Sequence, residues 1–246
     1  MNPFDTLAKA SPNMIVGSPF PYIVINNALP SDIYQKLDST FPVAAMTNDG
    51  DTAFQARRYS NNQWKDVDYI WQQFHDYHDS IEFKNKLLDL FKEYIDEEKY
   101  QRYYTNENSV PEKIKSFTTF TVNGMSTIKV QTPHVDHAGN FYVGLYYMRD
   151  NQDQSLGGDL EIYESTVENV EFGEYRKPRQ DHIAINTVVP YQANTQVWML
   201  TGPRAIHGAS ARQNASVFRK YVNINTRVDV LAHPYNDITK HVPSYQ

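Results

Sequence analysis

Two short stretches of the sequence contain side chains that can bind a metal ion together. His134 and Asp136 follow Pro133, and in an extended segment residues i and i+2 point the same way. His207 lies much further along the chain, directly before Gly208. Two neutral imidazoles and one carboxylate form the facial triad of non-haem Fe(II) oxygenases, and the same donors suit a catalytic zinc with an open position. We therefore predict a metal site at His134, Asp136 and His207.

The composition narrows the classes of protein that remain. The chain has 246 residues, no cysteine and a net charge of −6. It therefore has no disulfide framework, no thiolate metal site and no cysteine nucleophile, and its charge argues against a basic nucleic-acid-binding surface. We find no apolar run long enough for a membrane-spanning helix and no secretory signal at residues 1–11, so we expect an intracellular, cytoplasmic protein. Hydrolase, NTPase and dinucleotide-binding motifs are absent from the sequence.

The elements that must position the metal site change in character along the chain. Helical patterns at 31–40, 66–77 and 80–98 follow a first strand at 20–25. Short strand-like runs then dominate, at 116–122, 126–131, 141–148, 158–164, 182–189, 195–200 and 217–230. This order predicts a mainly β (α+β) protein, a barrel or jelly roll with helices on one face. We expect a single domain over residues 1–246, with a helical part at about 1–115, a β core at about 116–230 and a tail at 231–246.

Four stretches of the chain resemble the 2-oxoglutarate- and Fe(II)-dependent dioxygenases, in their prolyl-4-hydroxylase-like branch. These are 134–164, 194–210, 218–226 and, more weakly, 20–42. The resemblance implies a double-stranded β-helix (jelly roll) whose mouth holds the metal. It also implies that Fe(II) is bound by His134, Asp136 and His207, that 2-oxoglutarate is the cosubstrate and that O2 is consumed.

In this family a basic residue on the last core strand binds the distal carboxylate of 2-oxoglutarate. Arg219 and Lys220 lie 12 and 13 residues past His207, so the family's usual spacing of about ten does not settle the choice. Arg212 is a third candidate in a turn-like context. Strand alternation puts Arg219 on a polar face, while Lys220 shares its face with apolar Val222 and Ile224. A guanidinium can also bind a carboxylate through two parallel hydrogen bonds. We therefore assign this role to Arg219.

Two further residues are candidate cosubstrate contacts. The family often places a tyrosine at the position of Tyr147, with its hydroxyl on the same distal carboxylate. Tyr147 shares a strand face with Val143 and Leu145, so the alternative is a core aromatic residue. Asn223 is expected near the iron, where it could hydrogen-bond a water molecule or the cosubstrate.

The resemblance implies hydroxylation of an unactivated C–H bond, and Asp136 argues against a halogenase, which would lack this carboxylate. We expect a free amino acid or another small metabolite as substrate, because Gly-Ala-Ser after His207 departs from the prolyl hydroxylase pattern. The alternatives are a peptidyl (prolyl-type) hydroxylase acting on a protein, a cupin-like metal hydrolase or isomerase, and a non-catalytic jelly-roll binding module. A nucleic-acid substrate is disfavoured by the acidic charge.

Two loops are candidates for a lid over the substrate. They are 43–65, with Arg57, Arg58 and Trp64, and 165–181, with Arg176 and Arg179. We expect at least one of their cations to bind an anionic group of the substrate; solvated charges are the alternative. The other six histidines are expected to be structural or solvated: His75, His78, His137, His182, His233 and His241.

Overall fold

The computed structural model describes residues 2–43, 64, 67–95, 114–123, 129–136 and 140–228. Its helices are α1 (Ser31–Ser39), α2 (Tyr69–Asp79) and α3 (Ile81–Leu90). Its strands are β1 (Tyr22–Asn26), β2 (Ile114–Asn123), β3 (Lys129–His134), β4 (Tyr142–Tyr147), β5 (Leu160–Ser165), β6 (Ile183–Val189), β7 (Thr195–Leu200), β8 (His207–Ala211) and β9 (Arg219–Val228). The predicted tail and most of the predicted 43–65 loop lie outside the described residues. None of the helices in these ranges is long and apolar enough to cross a membrane.

The strands form two antiparallel sheets. The large sheet has the order β1-β7-β4-β9-β2, and the small sheet has the order β3-β8-β5-β6. Alternate residues of both sheets meet in one buried cluster, which includes Val143 and Leu145 from β4 and Leu160 and Ile162 from β5. The inner faces of the two sheets therefore pack against each other, as period-2 alternation requires. The predicted mainly β class with a few helices is confirmed.

The helices cover the outer face of the large sheet. Asp68 and Ser80 cap α2 and α3 by accepting hydrogen bonds from the N–H groups of Ile70 and Phe83, which otherwise would have no partner inside the helix. Buried residues of both helices join the outward-facing side chains of β2, β4, β7 and β9 in a second, larger cluster. The ring of Trp71 lies 4.9 Å from that of Phe120 on β2. The helical face thus seals one side of the sheet that carries Arg219 on its other side.

Several element boundaries differ from the sequence predictions, and three differences have a clear physical reason. The helix predicted at 80–98 ends at Leu90 and is followed by a 3-10 turn at Lys92–Tyr94, because apolar spacing alone does not separate these two helix types. Strand β8 was not predicted, since its small residues, HGASA, have little strand preference. Strand β3 continues through Pro133 to His134. It is an edge strand, where a missing N–H is tolerated.

Candidate metal site and its cavity

The structure brings the three predicted metal ligands together at one end of the small sheet. His134 is the last residue of β3 and lies directly opposite His207, the first residue of β8. Asp136 follows two residues later. One ligand atom from each side chain lies within 4.8 Å of the other two. The imidazole rings of the two histidines have centroids 4.5 Å apart. Cross-strand pairing therefore joins residues that are distant in the sequence.

Backbone carbonyls orient both imidazoles. Nδ1 of His134 lies 3.0 Å from the carbonyl oxygen of Thr132, and Nδ1 of His207 lies 3.0 Å from that of Ala205. A carbonyl only accepts hydrogen bonds, so each Nδ1 carries the proton and donates it. The Nε2 atom of each neutral ring then keeps its lone pair. This is the tautomer that a metal ligand needs, fixed by the other ring nitrogen.

The carboxylate of Asp136 lies between the two Nε2 atoms. Its oxygens are 3.8 Å from Nε2 of His134 and 3.9 Å from Nε2 of His207. Two metal–ligand bonds of about 2.1 Å each can span such separations. Oδ2 of Asp136 is buried and has no hydrogen-bond partner within the described part of the chain. A buried carboxylate oxygen normally has a partner, so an ion at this point would satisfy an otherwise orphaned group.

The surroundings keep the first imidazole uncharged. Burial and the nearby His207 lower the pKa of His134 to about 4, although Asp136 acts in the opposite direction. His134 is therefore neutral at pH 7 and can use its lone pair for a metal ion. The donor set of two imidazole nitrogens and one carboxylate thus fits a divalent cation of the iron or zinc type.

A cavity of about 550 Å³ lies between the two sheets and includes the three predicted ligands. Its wall is built from alternate residues of β2, β4 and β9, together with His207, Gly208 and Ala209 of β8. A side chain at Gly208 would have its Cβ 3.0 Å from the carbonyl oxygen of Gln131 on β3. Glycine therefore allows the close approach of β8 to β3 beside the site. The volume is within the range of small-molecule sites.

Arg219 lies in the wall of the same cavity, on the large sheet. It is only 3% exposed. Its Nε donates to the carbonyl of Gly158 at 2.8 Å, and Nη1 donates to Oδ1 of Asn123 at 3.2 Å. The rings of Tyr147, Tyr191 and Tyr221 surround the guanidinium, with centroids 4.6 to 5.2 Å from Cζ. The charge is thus held by neutral groups and has no carboxylate partner among the described residues.

The two alternative cations lie elsewhere. Lys220 points to the helical side of the sheet, where its Nζ binds Asp38 at 2.8 Å and Asp150 at 3.5 Å. Arg212 is fully buried and forms an ion pair with Asp153 at 3.1 Å. Both side chains are therefore engaged in structural ion pairs, and only Arg219 of the three lines the cavity.

Tyr147 and Asn223, the two predicted cosubstrate contacts, also line the cavity. The Tyr147 hydroxyl and Oδ1 of Asn223 are buried, with no hydrogen-bond partner in the described ranges. Burial raises the pKa of Tyr147 to about 12, so its hydroxyl is a protonated donor at neutral pH. A ligand oxygen beside Arg219 could accept from the Tyr147 hydroxyl, whereas Oδ1 of Asn223 needs a donor such as a water molecule.

Some residues of the site were not identified from the sequence. Asn123 and the carbonyl of Gly158 orient Arg219, and Tyr191 stacks against it. The alternation of β2 could have placed Phe117, Thr119 and Thr121 on the cavity wall. Gly158 has φ of +76°, which the Gly157-Gly158 pair signals in the sequence. No local sequence pattern predicts the contacts of Arg219 with Asn123 and Tyr191.

The other described histidines have structural roles. His78 is fully buried, and its two ring nitrogens contact the Thr6 hydroxyl and the Phe74 carbonyl. His75 contacts Thr118 at 2.8 Å. His182 accepts a hydrogen bond from the backbone N–H of Glu171. His137, His233 and His241 lie outside the described residues, as do Arg57 and Arg58.

The 165–181 segment contributes to the cavity, but not through both of its arginines. Arg176 and Lys177 line the cavity near the predicted metal ligands. Arg179 instead lies on the surface and pairs with Asp181 at 2.5 Å and Glu171 at 3.2 Å. Trp64, from the other predicted lid, packs on the rings of His75 and Phe120 in the helical core.

No protein-family profile matches this sequence, and a search of curated proteins finds no match. Solved structures do match. A prolyl-4-hydroxylase from Pseudomonas putida is 12% identical, with 92% of this chain and 97% of that chain covered and a TM-score of 0.50. A prolyl hydroxylase from Trichoplax adhaerens, in complex with a peptide fragment of the hypoxia inducible factor oxygen degradation domain, is 11% identical, with 92% and 91% covered and a TM-score of 0.52. At such low identity the likeness concerns the fold, and this chain shares its fold with prolyl hydroxylases of known structure.

Proposed function

We propose that this protein is an Fe(II)- and 2-oxoglutarate-dependent dioxygenase that hydroxylates an unactivated C–H bond. The observation that carries the proposal is the content of one cavity: two imidazoles, one orphaned carboxylate and a buried guanidinium without an acidic partner among the described residues. The sequence resemblance to this superfamily and the shared fold support the same assignment. Neither alone specifies a reaction, because one fold hosts many functions.

We interpret the two sheets as a double-stranded β-helix within a single domain. From β2 to β9 the strands alternate between the large and the small sheet, apart from the consecutive pair β5 and β6 in the small sheet, which is the order expected of a jelly roll. His134 and His207 belong to the small sheet and Arg219 to the large one. The cavity between the sheets therefore combines a metal-binding end with an anion-binding wall.

His134, Asp136 and His207 would hold the iron through their Nε2 atoms and one carboxylate oxygen. When bound, Fe(II) together with 2-oxoglutarate and O2 supplies the oxidising power for C–H hydroxylation, which no amino-acid side chain provides. The protein contributes orientation: carbonyls hold the two imidazoles in one tautomer, and the carboxylate offsets part of the ion's charge. Three protein ligands leave coordination positions for other molecules.

Arg219 would bind the distal carboxylate of 2-oxoglutarate. Its Nε is engaged with Gly158 and one bond of Nη1 with Asn123. Within the described residues, no other acceptor takes the second Nη1 hydrogen or the two Nη2 hydrogens, which can donate to a carboxylate. The Tyr147 hydroxyl would donate a further hydrogen bond at the same end, because it lacks a partner in the described chain. Oδ1 of Asn223 also lacks a partner there, but it only accepts and would take a hydrogen bond from a water molecule beside the cosubstrate.

The proposed substrate is a free amino acid or another small metabolite. The cavity of about 550 Å³ must hold both cosubstrate and substrate, which favours a compact molecule. A residue within a protein is the second candidate, because the Trichoplax adhaerens structure contains a bound peptide fragment. A zinc hydrolase on the same ligands is less well supported, since it would have no use for the buried charge of Arg219.

The test is anaerobic loading with Fe(II) followed by 2-oxoglutarate and then oxygen. We expect a visible charge-transfer band when 2-oxoglutarate is added and succinate after oxygen is admitted. His207→Ala should abolish both signals, whereas His182→Ala, which removes a partly buried histidine outside the cavity, should retain them. A wild-type protein that binds iron but shows neither signal would contradict the proposal.

A further inference from the structure

The charges that line the cavity do not balance once the proposed ligands are present. Within the described part of the chain, the charged lining residues are Asp136, Arg176, Lys177 and Arg219. Fe(II) and the 2-oxoglutarate dianion carry equal and opposite charges. The charge of Asp136 offsets that of Arg219. Arg176 is left as an unmatched cation among the described lining residues.

The backbone of Arg176 is anchored to the metal-binding segment. Its carbonyl accepts a hydrogen bond of 3.2 Å from the N–H of Val135, the residue between the two predicted ligands of that segment. A bridge between Phe172 and Pro178 closes the hairpin that carries Arg176, and Phe172 packs against a cluster that contains Val135 and Ile206. Packing and hydrogen bonding therefore fix the backbone that carries this cation next to the site.

Arg176 differs in its partners from the other arginine of this segment. Arg179 is paired with Asp181 and Glu171 and does not line the cavity. Among the residues that the structure describes, no carboxylate lies within ion-pair distance of the Arg176 guanidinium. Its side chain is partly buried, so its charge is less fully solvated than that of a surface arginine.

We propose that the substrate carries an oxyanion group, a carboxylate or a phosphate, that binds Arg176. This inference rests on the proposed function and names the chemical class of its substrate. Arg176 would hold the anionic end of the molecule and leave the C–H bond to face the site of His134, Asp136 and His207. A planar guanidinium suits this role because it binds oxyanions through paired hydrogen bonds.

Binding of matched acidic and neutral probes tests the inference without knowledge of the substrate. The probes are L-aspartate with L-asparagine, L-glutamate with L-glutamine, and O-phospho-L-serine with L-serine. Binding is measured by saturation-transfer NMR at low salt, with Zn(II) in the metal site and saturating 2-oxoglutarate, so that the cosubstrate position is filled. The proteins are the wild type, Arg176→Gln and the matched control Arg179→Gln.

We expect at least one acidic probe to bind roughly tenfold or more tightly than its neutral partner. Arg176→Gln should remove that preference, and Arg179→Gln should retain it. A carboxylate and a phosphate are distinguished by which pair shows the preference. The inference is overturned if no acidic probe is preferred, or if Arg176→Gln keeps the preference.

The 2-oxoglutarate-dependent visible band of the iron form separates this result from the proposed function. If the band is present but no acidic probe is preferred, the proposed anionic substrate is wrong and the proposed dioxygenase function stands. An acidic preference in a protein that shows no band supports the anion site and rejects the dioxygenase.

Discussion

Replacement of Arg219 tests the cosubstrate site most directly. The guanidinium is 3% exposed, held by Gly158 and Asn123, and ringed by three tyrosines, so its position is set before any ligand binds. A preorganised donor loses little entropy when the ligand arrives. We therefore expect Arg219→Gln to weaken binding of 2-oxoglutarate much more than it weakens binding of the metal ion.

The magnitude follows from the hydrogen bonds that are lost. A hydrogen bond to a charged group contributes about 1.5–3 kcal/mol, and the free Nη1 and Nη2 hydrogens can supply two of them. Their loss corresponds to a rise of roughly 100-fold or more in Kd. Arg219→Lys keeps the positive charge but loses the planar pair of donors, so we expect a smaller rise in Kd, of roughly tenfold.

The assay is anaerobic titration of 2-oxoglutarate into the iron-loaded protein, followed by the visible band or by calorimetry. Lys220→Gln is the matched control, because the neighbouring residue points to the helical side and binds Asp38. Its affinity for 2-oxoglutarate should be unchanged. Arg212→Gln should instead lower stability by up to about 3 kcal/mol, since it removes the nearer of two arginines that pair with buried Asp153 and leaves only Arg149, at 3.7 Å. An Arg219→Gln protein with wild-type affinity would refute the reasoning.

Three further predictions concern stability and metal binding. Asp136→Asn should abolish the rise in Tm that Mn(II) produces. The Tm of the metal-free variant should equal or exceed that of the metal-free wild type, because the change neutralises a carboxylate whose Oδ2 has no partner in the described chain. Equal Mn(II) shifts in both proteins would contradict the metal site. Gly144→Ala should destabilise the fold by about 1–3 kcal/mol in a urea titration, since its Cβ would lie 2.4 Å from the Trp198 ring; Gly202→Ala, which meets nothing within 4 Å, is the control and should unfold at the wild-type urea concentration. Burial lowers the pKa of His78 from 6.5 to about 4, so the folded state disfavours protonation of this imidazole. The stabilisation that results is fully present above pH 6.5, and the free energy of unfolding falls by about 3 kcal/mol as the pH drops to 4. Thermal melts of His78→Asn should show a smaller loss of stability over that pH range, and an unchanged pH dependence would show that His78 does not cause it.

Strand alternation accounts for the part of the site that could be predicted from the sequence. Arg219, Tyr221, Asn223 and Asn225 recur with period 2, and all four line the cavity as that pattern predicts. Val222, on the opposite face, is buried on the helical side, also as predicted. The two-residue spacing of His134 and Asp136 similarly places both side chains on one side of their segment. These are local relations, which the backbone geometry of an extended chain determines without knowledge of its neighbours.

The remaining features of the site depend on pairing between segments that are distant in the sequence. Strand β8 has small residues with little strand preference, and it becomes a strand because β3 and β5 flank it. That pairing places His207 opposite His134. The contacts of Arg219 with Asn123 and Gly158 likewise join segments far apart in the chain.

The sequence by itself determined which side chains could bind a metal ion and which face of each strand they occupy. Only the tertiary structure decided that the strand face with Arg219 lies across one cavity from the metal ligands, and that Arg176 lines this cavity while Arg179 does not. The physical reason is that side-chain direction along a strand follows from local backbone geometry. Charge partners and cavity walls depend instead on the register and packing of segments that are distant in sequence.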